Sequence, residues 1–184
     1  MGNGNRIICI IGKSCSGKDT LMQCILESND EMYHNIYPVI SCTTRPMRKG
    51  EVDGREYYFV SDEEFKLMIK YNRMLEYRTY NTLINDVPST WYYGLNKYSN
   101  GIDLERHSSV VIMDIDGCKD LQDYYGKENV YTILLNAPLE IRLERCKVRG
   151  DYDKTEFDRR AIDDEIAFSK DNLTKIKIDK LKIT

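Results

Sequence analysis

Between Gly12 and Thr20 the chain reads G-K-S-C-S-G-K-D-T, two glycines five positions apart with a lysine directly after the second. A loop of this kind turns successive backbone N–H groups toward one point, and the positive end of a following helix adds to the attraction for an anion. The spacing meets the first seven positions of the phosphate-binding loop pattern. Gly12, Lys13, Ser14, Cys15, Ser16, Gly17, Lys18, Asp19 and Thr20 are therefore the candidate ATP-binding residues, with Lys18 able to reach the β- and γ-phosphates. The next position departs from the pattern, since Asp19 stands where Ser or Thr would ligate magnesium. Mg2+ must then be held differently, with Asp19, Thr20 and Asp114 as the nearby candidates. Asp19 either touches a metal-bound water or simply suits the positive helix N-terminus, and the second reading is preferred.

A second concentration of cations lies between residues 43 and 56, where a polar, glycine-bearing loop carries Arg45, Arg48 and Arg55. A third gathers around Gly150, with Arg145, Arg149 and Arg160. The two histidines, His34 and His107, sit in no motif, and the six cysteines lack both a C-x-x-C pair and a partnering histidine cluster. They read as reduced thiols, several of them acting as small hydrophobes in apolar segments.

These side chains must be positioned by elements legible in the pattern. Ile7 to Ile11 is a β-branched run suited to a strand buried on both faces, and Leu21, Met22 and Ile25 recur at helical spacing after Gly17. The loop thus joins a strand to a helix. Tyr37 to Cys42 reads as a second strand, and Ser61 with Asp62, Glu63 and Glu64 as the capping box of a helix through Ile69 that Asn72 ends. Met74 to Tyr80 alternates as a strand, whereas the stretch from Asn81 to Thr90, with Pro88, reads as a polar loop before W-Y-Y-G. Ser109 to Asp114 and Val130 to Leu135 are further buried strands. Pro138 suits the first turn of a helix to about Lys147, a charged loop follows, and a helix is expected from Glu156 to Phe168, with an edge strand in the lysine-rich tail. Strands alternating with helices imply an α/β architecture, a central parallel sheet with helices on both faces, and ligands at the strands' carboxyl ends.

The run Ser41 to Phe65, S-C-T-T-R-P-M-R-K-G-E-V-D-G-R-E-Y-Y-F-V-S-D-E-E-F, resembles the GMP-binding region of guanylate kinases. With the phosphate loop, W-Y-Y-G at 91 to 94 and D-I-D-G at 114 to 117, the resemblance extends along most of the chain and fades after about residue 165. It implies one domain over 1–184: a three-layer core of about 1–40, 96–140 and 156–184, a small GMP-binding subdomain at about 41–95 and an arginine-bearing lid at about 141–155. Arg45 and Arg48 match the arginines that clamp the acceptor phosphate, a task for forked donors that lysine cannot mimic, and a solvated basic loop is the bland alternative. Tyr57 and Tyr93 match tyrosines on the same phosphate, though packing alone would account for either. Glu76 and Asp116 match acids that read guanine, Ser41 a hydroxyl on the base, and Asp114 is better placed to face Lys18 and the metal. A surface glutamate on an edge strand is the competing view of Glu76.

Arg145, Arg149 and Arg160 match the lid arginines that close over the phosphates, with a solvated helix face as the alternative. Lys18, Arg45, Arg145, Arg149 and Arg160 are accordingly the catalytic candidates. They would align the partners and spread positive charge over the moving phosphoryl group, without a catalytic base. Two departures bear on base selection: Leu95 replaces the Ser or Thr usual after Y-Y-G, and the inserted stretch 81–90 alters a wall of the acceptor pocket. Losing one buried hydrogen bond costs about 1 kcal/mol, enough to relax selectivity without erasing it.

The resemblance implies transfer of the γ-phosphoryl of ATP to GMP, with dGMP also accepted. Two other readings are another nucleotide or phosphoribosyl acceptor on the same fold, and an inactive interaction module, which the intact Gly12, Gly17 and Lys18 disfavour. A net charge of -3 argues against nucleic acid as a partner, and no apolar run is long enough to span a bilayer. The N-terminus shows neither a secretory signal nor a myristoylation motif, and a cytoplasmic location is expected.

Overall fold

The computed structural model describes residues 4–28, 35–48, 50–84, 87–98, 101–148 and 152–183, with the side chains of 82–88 set aside. They form two compact units, Met1–Tyr37 with Asp103–Thr184, and Pro38–Ile102.

In the first unit the apolar run becomes strand β1 (Ile7–Gly12), and Ile7, Cys9, Ile10 and Ile11 have no exposed surface. Burial on both faces follows from its place in the middle of a five-stranded sheet. On either side of it lie β7 (Ser108–Ile112) and β8 (Val130–Asn136), both parallel to it; β2 (Ile36–Pro38) and β9 (Lys180–Ile183) form the edges. Alternation along the strands sorts their side chains between two layers. Ile10, Val110 and Leu135 pack under Leu21, Met22 and Ile25 of helix α1 (Lys18–Leu26). The opposite face meets helix α3 (Ile115–Tyr125), whose buried Gln122 donates to Thr132 Oγ1 at 3.0 Å and to the Lys177 carbonyl at 2.7 Å. The three layers of an α/β fold are thus present, and the carboxyl ends of β1, β7 and β8 share one edge, where the phosphate loop, Asp114 and Pro138 begin.

Helices α4 (Leu139–Val148) and α5 (Lys154–Ala167) follow β8. The Asp153 side chain caps α5 by accepting from Glu156 N at 2.7 Å, so this helix starts earlier than its apolar periodicity suggests. The tail turns through α6 (Lys170–Leu173) and does supply the edge strand β9, parallel to β8.

The second unit is a four-stranded sheet, β4 (Tyr58–Phe59), β3 (Cys42–Thr43), β6 (Val87–Asn96) and β5 (Met74–Ile84) in that order, with helix α2 (Asp62–Lys70) on one face. Its Ser61 capping box is formed in full, and Asn72, at φ 53°, follows the helix end. Phe65 of α2 is fully buried among Cys42, Met74, Met68 and Tyr92.

Two expectations need correcting. The run Tyr37–Cys42 is not one strand: β2 ends at Pro38, which cannot donate to a ladder, and β3 belongs to the other sheet. The stretch 81–90 is not a loop. It continues β5 and β6 as an antiparallel hairpin in register from Asn81↔Thr90 to Ile84↔Val87. Tyr80 stacks with Trp91 at 6.4 Å and Thr90 Oγ1 donates to Asn81 Oδ1 at 3.0 Å. Pro88 is tolerated because β3 pairs with β6 only around Tyr93 and Gly94. Helix α3 carried no expectation; its Gly117 is buried where a Cβ would be crowded, 3.0 Å from Met113 Sδ and 3.1 Å from Asp114 Oδ1.

Candidate functional site

The phosphate loop is shaped by two glycines with separate jobs. At Gly12 a Cβ would lie 2.6 Å from the Leu135 carbonyl oxygen and 2.7 Å from Ser16 Oγ, so only glycine lets the loop leave β1 beside β8. Gly17, at φ 97°, adopts the left-handed conformation that starts α1. Lys18 folds back across the loop, its ammonium donating to the carbonyls of Gly12 at 2.7 Å and Lys13 at 3.0 Å. A cavity of about 820 Å³ opens above, lined by Ser14 through Leu21, Cys24, Leu135, Glu144, Arg145, Val148, Arg160 and Lys182. That volume is within the range of small-molecule and cofactor sites.

The loop is braced from beneath by groups that sequence reasoning did not single out. Arg142 of α4 is almost wholly buried, and its Nη1 lies 3.0 Å from Asp164 Oδ2. Asp164 in turn accepts the Ser14 N–H at 2.8 Å, and Lys13 pairs with Glu165 at 2.5 Å. The Lys13 partner holds Glu165 below the usual glutamate range. Arg145 donates to the Ser16 carbonyl at 3.0 Å, so α4 and α5 grip the loop through that carbonyl, the Ser14 N–H and the Lys13–Glu165 ion pair, while the Arg142–Asp164 pair ties the two helices together.

In the second unit the alternation of β3, β5 and β6 puts Cys42, Tyr77 and Tyr92 on the α2 side. Thr43, Glu76, Arg78, Tyr93 and Leu95 consequently share the opposite face, because Thr43↔Tyr93, Arg78↔Tyr93 and Glu76↔Leu95 are cross-strand partners. Gly94 lies between them because a Cβ there would meet the Glu76 carbonyl at 2.6 Å and Met74 Cε at 2.6 Å. Arg45 is 4% exposed and held on every side: Nη2 donates to Glu51 Oε1 at 2.7 Å, Nη1 to the Pro46 carbonyl at 2.7 Å, and the guanidinium lies 5.6 Å from the centroids of both Tyr57 and Phe59. Burial alone would pull its pKa down, but the Glu51 bond and charge reverse this and leave it raised. Glu51 also accepts the Arg48 N–H at 2.7 Å, and with Arg45 as its main partner its carboxyl sits below the ordinary value. Tyr57 and Tyr93 meet edge to face at 5.8 Å.

Each unit thus carries its own cationic cluster, around Lys18 in the first and around Arg45 in the second. The model of the family described as guanylate kinase matches residues 4–161. The chain belongs to the guanylate kinase family. A guanylate kinase of Blochmanniella floridana is 41% identical over 154 residues, covering 82% of this chain and 67% of the relative. One from Caldanaerobacter subterraneus is 33% identical over 156 residues, covering 84% and 69%. This chain therefore spans about two thirds of the length of these relatives. The crystal structure of guanylate kinase from Anaplasma phagocytophilum is similar in fold, with a TM-score of 0.61 and 19% identity, covering all of this chain and 79% of that one.

Of the positions matched to the guanylate kinase pattern, Lys18, Arg145 and Arg160 come together at the cavity with the loop residues 14–20. Arg145 lies inside α4 and not on a loop, and Arg160, on α5, pairs with Glu156 at 2.7 Å. Arg149 lies outside the described residues. Arg45, Tyr57 and Tyr93 form one cluster, while Arg48 is exposed on the rim and Arg55 pairs outward with Glu56. Ser41 is half-buried just before β3, its carbonyl accepting from Tyr58 N at 2.9 Å. Glu76 does sit on the edge strand, yet its side chain is only 9% exposed, with Arg78 Nη1 3.6 Å away. Asp114 caps α3 by accepting from Gly117 N at 2.7 Å, and Asp116 is exposed in that helix's first turn.

Among the described residues no group of three or more His, Cys, Asp or Glu could hold a metal ion, and no helix is long and apolar enough to cross a membrane. Asp19 and Thr20 line the cavity, a sparse oxygen set that suits an ion keeping most of its water and bound mainly to phosphates, as magnesium does.

Proposed function

We propose that this chain transfers the γ-phosphoryl group of ATP to GMP, giving ADP and GDP. The observation that carries the reading is Arg45: a buried guanidinium, oriented by Glu51 and two aromatic rings, is a prepared phosphate clamp separate from the Lys18 loop. A phosphotransferase needs two anion sites, whereas an ATPase needs one.

The donor phosphates lie against the N–H groups of the 12–20 loop, and Lys18 exchanges the carbonyls of Gly12 and Lys13 for phosphate oxygens. Asp19 and Thr20, with Asp114 as a further candidate, would hold a nucleotide-bound Mg2+ through its water, and the ion would supply positive charge against the phosphates. Arg45 and Arg48 bind the acceptor phosphate, with hydroxyls from Tyr57 and Tyr93. Glu76, Asp116 and Ser41 read the base. The nearly buried side chain of Glu76 offers acceptors to the N1–H and N2 donors of guanine, a donor pair that adenine lacks. Arg145, Arg149 and Arg160 spread cation over the phosphoryl group in flight, and no protein base is needed because a phosphate oxygen is the nucleophile. dGMP is a substrate too, since none of these groups is assigned to the 2'-hydroxyl.

We place 38–102 as the acceptor-binding part, α4 and the start of α5 as the lid, and the protein in the cytoplasm, serving purine nucleotide supply. Leu95, fully buried opposite Glu76, offers the base no hydrogen bond, so guanine selection rests more heavily on Glu76 than a serine there would require. The test is a coupled ADP-release assay across GMP, dGMP, AMP, IMP and CMP. GMP and dGMP should turn over, and Glu76→Gln should erode the preference for GMP over IMP. Equal rates with AMP and GMP would overturn the guanine assignment.

A further inference from the structure

The sulfurs of Cys15 and Cys146 lie 2.7 Å apart, bringing the phosphate loop against the last turn of α4. Both residues are half-buried thiols, and Cys15 lines the donor cavity, so small reagents entering the cavity meet it. The other cysteines are placed differently. Cys9, Cys42 and Cys118 are buried in the two cores, where burial pushes the Cys42 thiol up to about 11, and Cys24 is exposed on α1. Cys15 also holds a left-handed φ of 59°, a conformation that residues with a side chain disfavour.

We propose that Cys15 and Cys146 are a dithiol modification site, oxidised by a hydroperoxide to a disulfide that ties the phosphate loop to α4 and stops phosphoryl transfer. One sulfur attacks the peroxide, the O–O bond breaks, and a sulfenic acid forms with release of water or an alcohol. The second sulfur then attacks the sulfenic sulfur; the S–S bond forms, the S–O bond breaks, and the oxygen leaves as water with the thiol's proton. Two thiols and one hydroperoxide thus give one disulfide, with two electrons passing from sulfur to the peroxide. Dithiols reverse the bond by exchange.

The consequence follows from what flanks each sulfur. Ser14 and Ser16, on either side of Cys15, are already held by Asp164 and Arg145, and Arg145 directly precedes Cys146. A covalent tie at this point fixes the loop to the helix that carries Arg145. The loop's N–H groups then cannot turn to the phosphates, and Arg145 cannot leave the Ser16 carbonyl for the transferring group. This loss of activity rests on the kinase reading; formation of the disulfide does not.

The experiment treats the reduced full chain with hydrogen peroxide, blocks remaining thiols with N-ethylmaleimide, and reads both the non-reduced peptide map and GMP-dependent ADP release. The expected result is a Cys15–Cys146 linked peptide and an activity loss of about tenfold or more, restored by dithiothreitol. Cys146→Ser and Cys146→Ala should keep near-normal activity when reduced and resist the oxidant, while Cys24→Ser should remain sensitive. A map without the Cys15–Cys146 peptide would overturn the site, as would inactivation of both Cys146 variants at the wild-type rate. The linked peptide with undiminished turnover would overturn the claim that the bond stops transfer. If the reduced protein formed no GDP at all, the kinase reading would fail while the peptide map still decided the site.

Discussion

Replacing Arg142 with methionine should destabilise the first unit and loosen its phosphate loop together. The Arg142 side chain is 2% exposed and that of Asp164 14%, with the charged atoms 3.0 Å apart. Breaking such a buried pair by removing one partner costs about 3–5 kcal/mol, since the remaining charge keeps its desolvation penalty without its counter-ion. Asp164 retains some water and still accepts from Ser14, which puts the cost at the lower end, about 3 kcal/mol. For a chain of this size that corresponds to a fall in Tm of about 6–12 °C. Thermal unfolding followed by circular dichroism measures it directly. The double variant Arg142→Met with Asp164→Asn should recover at least half of the loss, because it removes the orphaned charge along with its partner. Saturating ATP should narrow the remaining gap, since phosphate then takes up the Ser14 N–H. An Arg142→Met protein melting within about 2 °C of wild type would refute the idea that this pair holds the loop.

Three other outcomes are expected. Arg45→Lys keeps the charge but cannot serve Glu51, the Pro46 carbonyl and a phosphate at once, so the KM for GMP should rise about 10- to 100-fold with the KM for ATP little changed in steady-state kinetics. Gly12→Ala places a methyl 2.6 Å from the Leu135 carbonyl and should abolish ATP binding by calorimetry while GMP binding persists. Glu51, depressed below 4.5 by its bond to Arg45, stabilises its loop above that pH, and the contribution is lost as pH falls through the folded pKa. In acid titrations wild type should therefore lose an advantage over Glu51→Gln from pH 4.5 downward, and a constant difference between the two melting curves would remove Glu51 from this role.

What could be read from sequence was whatever local spacing controls. The strand, loop and helix around Gly12 to Thr20, the capping box at Ser61 and the parallel sheet all follow from periodicity and turn chemistry acting over a few residues. The brace beneath the loop did not, because Arg142 and Asp164 stand 22 positions apart and meet only when α4 and α5 pack. As letters they look like any charged helix face. Lys182 reaches the donor cavity only because β9 pairs with β8, a contact with no signature in a lysine-rich tail. The 81–90 stretch misled for the opposite reason: Asn, Asp and Pro signal turns locally, while the cross-strand partners Tyr80 and Trp91 that hold the hairpin lie outside it. Glu76 fell between these cases, its edge-strand position legible and its burial set by Leu95 across the ladder.

A phosphate donor site at Lys18 coupled to an acceptor site at Arg45 and Glu76 predicts a fixed product stoichiometry. Incubating the purified protein with ATP, magnesium and GMP and separating the products by ion-exchange chromatography tests it most directly. One GDP should form for each ADP, and both should vanish in Lys18→Ala. ADP accumulating with inorganic phosphate in place of GDP would mean that Arg45 and Glu76 form no acceptor site for GMP.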